Sequence, residues 1–326
     1  MRVMRVAEDG AGRRVALREA RDVLHRGGLV AFPTETVYGL GANALDASAV
    51  QRIYEAKGRP AINPLIVHVA TVDAGRALAA EWTDLAEKLA REFWPGPLTL
   101  VVRKRDVIPE IVTAGGDTVG LRMPAHPVAL ALLTEAQLPV AAPSANLANQ
   151  VSPTTAAHVI AALGDRVDLI LDGGATTVGI ESTVVDTTSG MPRILRPGMV
   201  TRDDLARVAG VAELASQEPG RVLQSPGMLG KHYSPRARVT LVDADGLDEA
   251  IRRARARGER IGVMAFHPVT ADFSIRMPDT PAEYARKLYA GLHAMDDARC
   301  ALILVERPPP GDPWAAIADR LVRAAR

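Results

Sequence analysis

The chain has 326 residues, 48% of them hydrophobic, and a formal net charge of +1, so it is long enough for two domains and carries no basic nucleic-acid arm, acidic tail or supercharged surface. A single cysteine, Cys300, excludes a disulfide framework and a Cys-rich zinc or iron–sulfur site, and fits a reducing, cytoplasmic setting. The acidic pair Glu8-Asp9 stands where an export signal needs apolar residues, and runs such as Leu98 to Val102 fall far short of the ~20 residues of a membrane span, so a soluble protein with no membrane partner is expected.

In chain order, apolar strands are predicted at Leu29–Pro33, Leu65–Ala70, Leu98–Arg103, Val119–Met123, Val140–Pro143, Leu169–Leu171 and Thr183–Asp186. Amphipathic helices are predicted at Val15–Arg26, Ser48–Ala56, Leu85–Phe93, Pro127–Glu135, Pro153–Leu163 and Arg202–Val208. Several successive strands have no helix between them, which points to an α/β fold with a mixed twisted sheet rather than a purely parallel one. Gly210 to Arg236 breaks the periodicity with Pro219, Gly220, Pro226, Gly227, Gly230 and Pro235, the composition of a linker. Strands then resume at Val239–Val242, Ile261–Phe266 and Ala301–Val305, with helices at Leu247–Arg257, Ala282–Met295 and Trp314–Ala324. The expected organisation is a first domain over 1–208, a linker over 209–236 and a smaller α/β domain over 237–326.

Four familiar motifs are approached or lacking. Gly39-Leu40-Gly41-Ala42-Asn43-Ala44 has the spacing of a dinucleotide fingerprint, but the preceding strand ends too early and no acidic residue stands ~20 positions on. Gly174 to Gly179 has phosphate-loop spacing but is followed by Ile180-Glu181 rather than Lys and a hydroxyl. The histidines lack metalloprotease spacing, and neither Ser144 nor Ser182 lies in a nucleophile elbow.

Four polar segments at predicted strand ends remain, where α/β folds place their sites. Thr34-Glu35-Thr36 follows a buried strand and reads equally well as a structural turn. Lys57-Gly58-Arg59-Pro60 through Asn63-Pro64 combines two cations and an amide with stiffening prolines; singly, the cations also suit a helix C-terminus. Arg122 sits within an apolar strand and should meet a carboxylate or phosphate. The same third segment continues through Pro143-Ser144-Ala145-Asn146 and Ser152-Pro153-Thr154, Ser152 having the look of an N-cap with Pro153 at the first helical position. Glu181-Ser182-Thr183 and Arg196 close the set, with a strand-edge hydroxyl and a surface cation as the plainer reading. Together they are cations with neutral donors and acceptors and no dominant carboxylate dyad. Such a set grips polyanions and suits phosphoryl or nucleotidyl transfer.

At these residues the chain resembles the YrdC-like family, in particular its two-domain members, the L-threonylcarbamoyladenylate synthases. The resemblance runs through Pro33-Thr34-Glu35-Thr36-Val37-Tyr38-Gly39-Leu40, Lys57-Gly58-Arg59-Pro60, Asn63-Pro64-Leu65, Pro143-Ser144-Ala145-Asn146, Ser152-Pro153-Thr154 and Glu181-Ser182-Thr183-Val184, then Ser225-Pro226-Gly227-Met228 and His232-Tyr233-Ser234-Pro235 in the linker. It implies a YrdC-like sheet joined to a Rossmann-like C-terminal domain. The implied reaction takes L-threonine, bicarbonate or CO2 and ATP, with Mg2+, to L-threonylcarbamoyladenylate and pyrophosphate; the product serves a threonylcarbamoyl transferase complex acting on tRNA beside the anticodon. Carried over by motif, Thr34, His68, Arg122 and Ser182 hold threonine, and Arg59, Asn63, Thr118, Ala142, Ser144, Ser152 and Arg196 hold ATP. Lys57, Arg59, Ser144 and Asn146 form the family's catalytic signature, Tyr233 of the lid-like linker joins the ATP-binding set, and no resident metal is implied. Ala148-Asn149 replaces the family's Ser-Gly pair, and Leu229-Gly230-Lys231 a more polar, aromatic linker segment.

Two other classes are weighed. A basic cavity could bind RNA directly, although near-zero net charge and 4% aromatic residues speak against a single-strand binder, so only weak RNA binding is expected. The second domain could also be an independent regulatory module.

Overall fold

The computed structural model describes residues 1–6, 10–214 and 233–326. The linker motifs Ser225-Pro226-Gly227-Met228 and Leu229-Gly230-Lys231, and His232, lie outside the described residues.

The first body is built on a mixed sheet of twelve strands. Its elements in chain order are β1 (Arg2–Arg5), α1 (Ala11–His25), β2 (Val30–Pro33), β3 (Tyr38–Asn43), α2 (Ala47–Lys57), β4 (Ile66–His68), α3 (Val72–Arg76), β5 (Ala79–Glu81), α4 (Asp84–Phe93) and β6 (Leu98–Lys104). There follow α5 (Glu110–Thr113), β7 (Thr118–Arg122), α6 (Pro127–Ala136), β8 (Val140–Ala141), α7 (Ala156–Leu163), β9 (Leu169–Asp172), β10 (Thr183–Asp186), β11 (Arg193–Arg196), α8 (Arg202–Ala209) and β12 (Glu213–Leu214). Across the sheet the order is β1-β9-β2-β3-β8-β4-β7-β6-β10-β11-β12, with β5 added to β6. Parallel pairs such as β4 with β7 sit beside antiparallel ones such as β2 with β3, as the missing crossover helices require.

Two apolar layers cover the sheet. Residues of α2, α4, α7 and α8, among them Ile53, Leu89, Val159 and Leu205, pack into one buried cluster. Leu24 of α1 and Leu132 of α6 belong to the other, with Phe32 and Leu171 from the strands. Local chemistry fixes the helix ends: Asp46 caps α2 by accepting from the amides of Ser48 and Ala49, and Thr201 and Asp204 form a reciprocal box on α8.

Two expectations are corrected here. Tyr38–Asn43, where no strand was expected, is a strand antiparallel to both β2 and β8. Its glycines serve packing, since a Cβ on Gly41 would lie 2.8 Å from both Phe32 and Val140. Ser152 is not an N-cap: α7 begins three residues beyond Pro153, capped by Thr155, whose hydroxyl accepts from the amide of His158. Ser152 instead donates to Glu181, at 2.5 Å. Asn149, where the family has glycine, takes φ 67°, a left-handed conformation that asparagine tolerates better than most residues.

The second body has a four-stranded, all-parallel sheet in the order β13-β16-β14-β15, made of β13 (Arg238–Val242), β14 (Ile261–Ala265), β15 (Phe273–Arg276) and β16 (Leu302–Glu306). Helix α9 (Leu247–Ala256) covers one face and α10 (Pro281–Asp297) with α11 (Ala315–Ala324) the other. The α10–α11 layer also takes in Val37, Val151 and Ile180 of the first body, so one apolar core spans both. Among the described residues no helix is long and apolar enough to cross a membrane.

Candidate active site

Several chain segments of the large sheet converge on one cavity. The β2–β3 turn supplies Thr34, Thr36 and Val37; the ends of β4, β7 and β11 supply His68, Arg122 and Arg196; the residues after α2, after β8 and before β10 supply Arg59, Ala142 to Ser144, and Glu181 with Ser182. Tyr233 completes the wall.

The turn is rigid because Thr34 closes it on itself. Its hydroxyl donates to the carbonyl of Val37 at 2.6 Å and accepts from the amides of Thr36 and Val37, at 3.2 Å each. Arg122 does meet a carboxylate, that of Glu35, at 2.6 Å, with further bonds to the Thr36 hydroxyl at 2.9 Å and the carbonyl of Gly96 at 3.2 Å. The other Glu35 oxygen accepts from the amide of Ala125. Both partners are buried, which makes removal of either expensive, on the order of 3–5 kcal/mol.

His68 lies opposite Arg122 in the parallel β4–β7 pairing. Burial, reinforced by the Arg122 charge, pulls its pKa down to about 3, so the ring is neutral at physiological pH. Its Nδ1 is buried and has no hydrogen-bond partner among the described residues.

On the opposite side, Arg196 donates from Nε and Nη2 to the carbonyl of Ser182, at 3.1 and 3.0 Å, and from Nη2 to its hydroxyl at 3.1 Å. Arg59 donates to the carbonyls of Asn63 and Pro64, and burial lowers its pKa to about 10, leaving it charged. Glu181 is the acid of the cavity wall. Burial alone would raise its pKa, but Arg320 and then Arg196 hold it at about 2.

Of the residues read from sequence, Thr34, Arg59, His68, Arg122, Ala142, Ser144, Ser182, Arg196 and Tyr233 therefore share one cavity. Lys57, Asn63, Thr118, Asn146 and Ser152 are not on its wall. Lys57 is buried beneath it, its ammonium 2.5 Å from the carbonyls of both Ser144 and Asn146, and burial, with Arg59 nearby, pushes its pKa well down. Asn146 donates to the carbonyls of Leu147 and Gln150. These two groups shape the Pro143–Asn146 loop from behind. Ser152 is turned to Glu181, the Asn63 carbonyl anchors Arg59 and Tyr54, and Thr118 stands at the far end of β7 from Arg122.

Sequence reasoning passed over Glu35, Thr36 and Glu181 as separate functional residues, although all three lie inside motifs it singled out. It missed Arg320 altogether, because nothing local in the sequence of α11 ties it to Glu181, 139 positions away.

Arginines, a neutral imidazole and hydroxyls around one cavity form a receptor for anionic groups, without a pair of carboxylates for proton transfer. Comparison with known proteins decides the class. Residues 22–198 match the Sua5/YciO/YrdC family model, described as telomere recombination, and residues 200–326 match the threonylcarbamoyl-AMP synthase C-terminal domain. The threonylcarbamoyl-AMP synthase of Pyrococcus abyssi is 42% identical over 95% of this chain and 94% of its own length.

The chain belongs to the threonylcarbamoyl-AMP synthase family.

The Bacillus subtilis synthase is 39% identical over 95% of the chain and 92% of that protein. The crystal structure of P. abyssi Sua5 complexed with L-threonine, 41% identical, superposes with a TM-score of 0.95 over 100% of this chain and 98% of that one. Escherichia coli YciO, at 23% identity and a TM-score of 0.54, covers 61% of the chain and 96% of its own, and shows the fold of the first body only. Like the P. abyssi protein, which is matched over nearly its whole length, this synthase has both a YrdC-like sheet and the smaller C-terminal α/β unit.

Proposed function

We propose that this enzyme condenses L-threonine, bicarbonate or CO2 and ATP into L-threonylcarbamoyladenylate and pyrophosphate, and that the product supplies a threonylcarbamoyl transferase complex modifying tRNA next to the anticodon. The observation that carries the reading is the single cavity joining Arg122 and His68 to Arg59 and Arg196, together with the L-threonine bound by the P. abyssi relative.

On this reading Arg122 pairs the threonine carboxylate, as it now pairs Glu35. Ser182 and the Nδ1 of His68, which has no partner among the described residues, offer hydrogen bonds to the amino acid, while Thr34, its hydroxyl taken up within the turn, shapes that side of the cavity. A neutral His68 adds no charge to oppose the threonine amine, which loses a proton to solvent before its lone pair adds to CO2, supplied directly or by dehydration of bicarbonate, and the carbamic acid formed gives up its proton to leave the carbamate. The carbamate oxygen then attacks the α-phosphorus of ATP while the bond to the β-phosphate oxygen breaks, releasing pyrophosphate. Arg59 and Arg196 stabilise the charge gathering on the phosphate oxygens, with Ala142 and Ser144 lining the nucleotide side. Lys57 and Asn146 act by holding the loop that presents Ser144. Tyr233 closes the wall, and exclusion of water protects a carbamate and a mixed anhydride that both hydrolyse readily. Mg2+ would enter with ATP, held by the substrate's own phosphates and water.

Label transfer tests the bond changes. With α-labelled ATP the label should appear in a threonine-containing adenylate, and with γ-labelled ATP in pyrophosphate. Label from the γ position in a threonine product, or release of inorganic phosphate with ADP, would refute the proposed chemistry. Tight, salt-sensitive RNA binding without turnover would put the RNA-binding reading in its place.

A further inference from the structure

The contact between the two bodies carries an inference that rests on the proposed reaction and assigns a part in it to the C-terminal domain. Arg320 on α11 has a fully buried side chain. Its Nε donates to Glu181 Oε2 at 2.9 Å and its Nη1 to Asp319 Oδ2 at 2.7 Å, and its guanidinium lies 5.1 Å from the centroid of the Tyr233 ring. Tyr233 stacks on Tyr289 of α10 with centroids 5.8 Å apart, and the Tyr289 hydroxyl donates to the same Glu181 oxygen at 2.9 Å. Ser152 takes the other oxygen. The segment bearing Glu181 is pressed against α10: a Cβ on Gly179, at φ +87°, would lie 2.5 Å from the Cα of Arg286.

The charges explain why such a contact would matter. Arg122 has its counter-ion, Glu35, within the first body. Glu181 and Arg196 both line the cavity and attract each other through a buried medium, yet among the described residues the cation that hydrogen-bonds Glu181, Arg320, comes from the second body. We propose that Arg320 is a positioning residue of the reaction: it holds the Glu181 carboxylate from the C-terminal domain and so keeps that carboxylate from competing with the nucleotide's phosphates for Arg196. The second body is then part of the active site rather than an independent module. Removing Arg320 leaves a buried acid whose next cation is the one assigned to ATP.

The test uses the full chain carrying Arg320→Met, Glu181→Gln or both, with KM for ATP and for threonine, kcat and melting temperature measured on each. Arg320→Met should raise KM for ATP about tenfold or more and leave KM for threonine within about threefold, and the double variant should bring KM for ATP back to within about threefold of the parent, since neutralising both members of a buried pair removes the competition. Equal changes in both KM values, or a double variant no better than Arg320→Met, would overturn the proposal. Should Arg320→Met fail to fold, a folded and active double variant still identifies the uncompensated carboxylate as the lesion, whereas an unfolded double variant makes Arg320 a packing residue and refutes it. If the parent enzyme makes no adenylate, the proposed reaction fails, and ATP affinity by calorimetry on the same variants decides the Arg320 proposal by itself.

Discussion

Arg122 and His68 face each other across β4 and β7, and their pairing makes two predictions. Arg122→Ala should raise KM for threonine by roughly two orders of magnitude, the value of about 2–3 kcal/mol for a lost charge-assisted contact, while affinity for ATP changes little. A collapse of ATP binding with threonine unaffected would reverse the assignment. The second prediction concerns pH. His68, held at about 3 against an ordinary 6.5, takes up a proton on unfolding but not in the native state as pH falls below 6.5. Stability from the buried neutral ring is fully present above 6.5 and is lost progressively on acidification; His158, held at about 4, acts in the same direction. Melting temperature should therefore fall between pH 6.5 and about 5, before most carboxylates titrate, and the fall should be shallower in His68→Asn. An unchanged slope in that variant would remove His68 from the explanation. Arg122 is the residue whose need the sequence showed best, because a charge in an apolar strand demands a partner. Which partner it takes could not be read: Glu35 reaches it only because the β2–β3 turn brings the two together.

At the scale of elements, strand ends and the loops behind them make the site. Thr183–Asp186 was legible to the residue, as a β-branched apolar run with a clear boundary. Tyr38–Asn43 was not, since glycine usually punctuates a chain and here leaves room for Phe32 and Val140. The start of α7 was misplaced because Ser152-Pro153 has the form of a helix start, while the serine answers to Glu181, a buried acid distant in sequence. Lys57 shows the same limit: its position at the end of α2 was plain, its target was not. Lys57→Ala takes the side-chain donor from the Asn146 carbonyl and one of two donors from the Ser144 carbonyl, which keeps the Asn146 amide, at a cost of about 1–3 kcal/mol, and should depress kcat through a displaced loop while the protein stays folded. Normal turnover would reduce Lys57 to a helix-end cation. Gly179→Ala should destabilise the protein by several kcal/mol, since the methyl group meets the backbone of α10 and φ there is positive. Calorimetry showing a native-like melt would contradict so close an approach.

For the whole molecule, composition and alternation of elements indicated two α/β bodies, and the motifs indicated an anion-binding cavity. The joint between the bodies was beyond reach of the sequence, because Glu181, Tyr289 and Arg320 belong to three separate stretches and meet only once both sheets are formed. The shared apolar core, with Ile180 among Tyr289 and Leu292, predicts that a chain ending at residue 209 exposes that face and loses turnover rather than retaining an autonomous activity. Turnover by that fragment at the parent rate would separate the domains functionally. One assay tests the proposed reaction most directly: the purified 326-residue chain with ATP, Mg2+, bicarbonate and L-threonine, each omitted in turn, with pyrophosphate and threonylcarbamoyl adenylate followed by rapid chromatography. Both products should appear together, and neither when ATP, threonine or the carbon source is left out. Pyrophosphate released without threonine, or no adenylate under conditions where ATP binds, would contradict the proposed reaction.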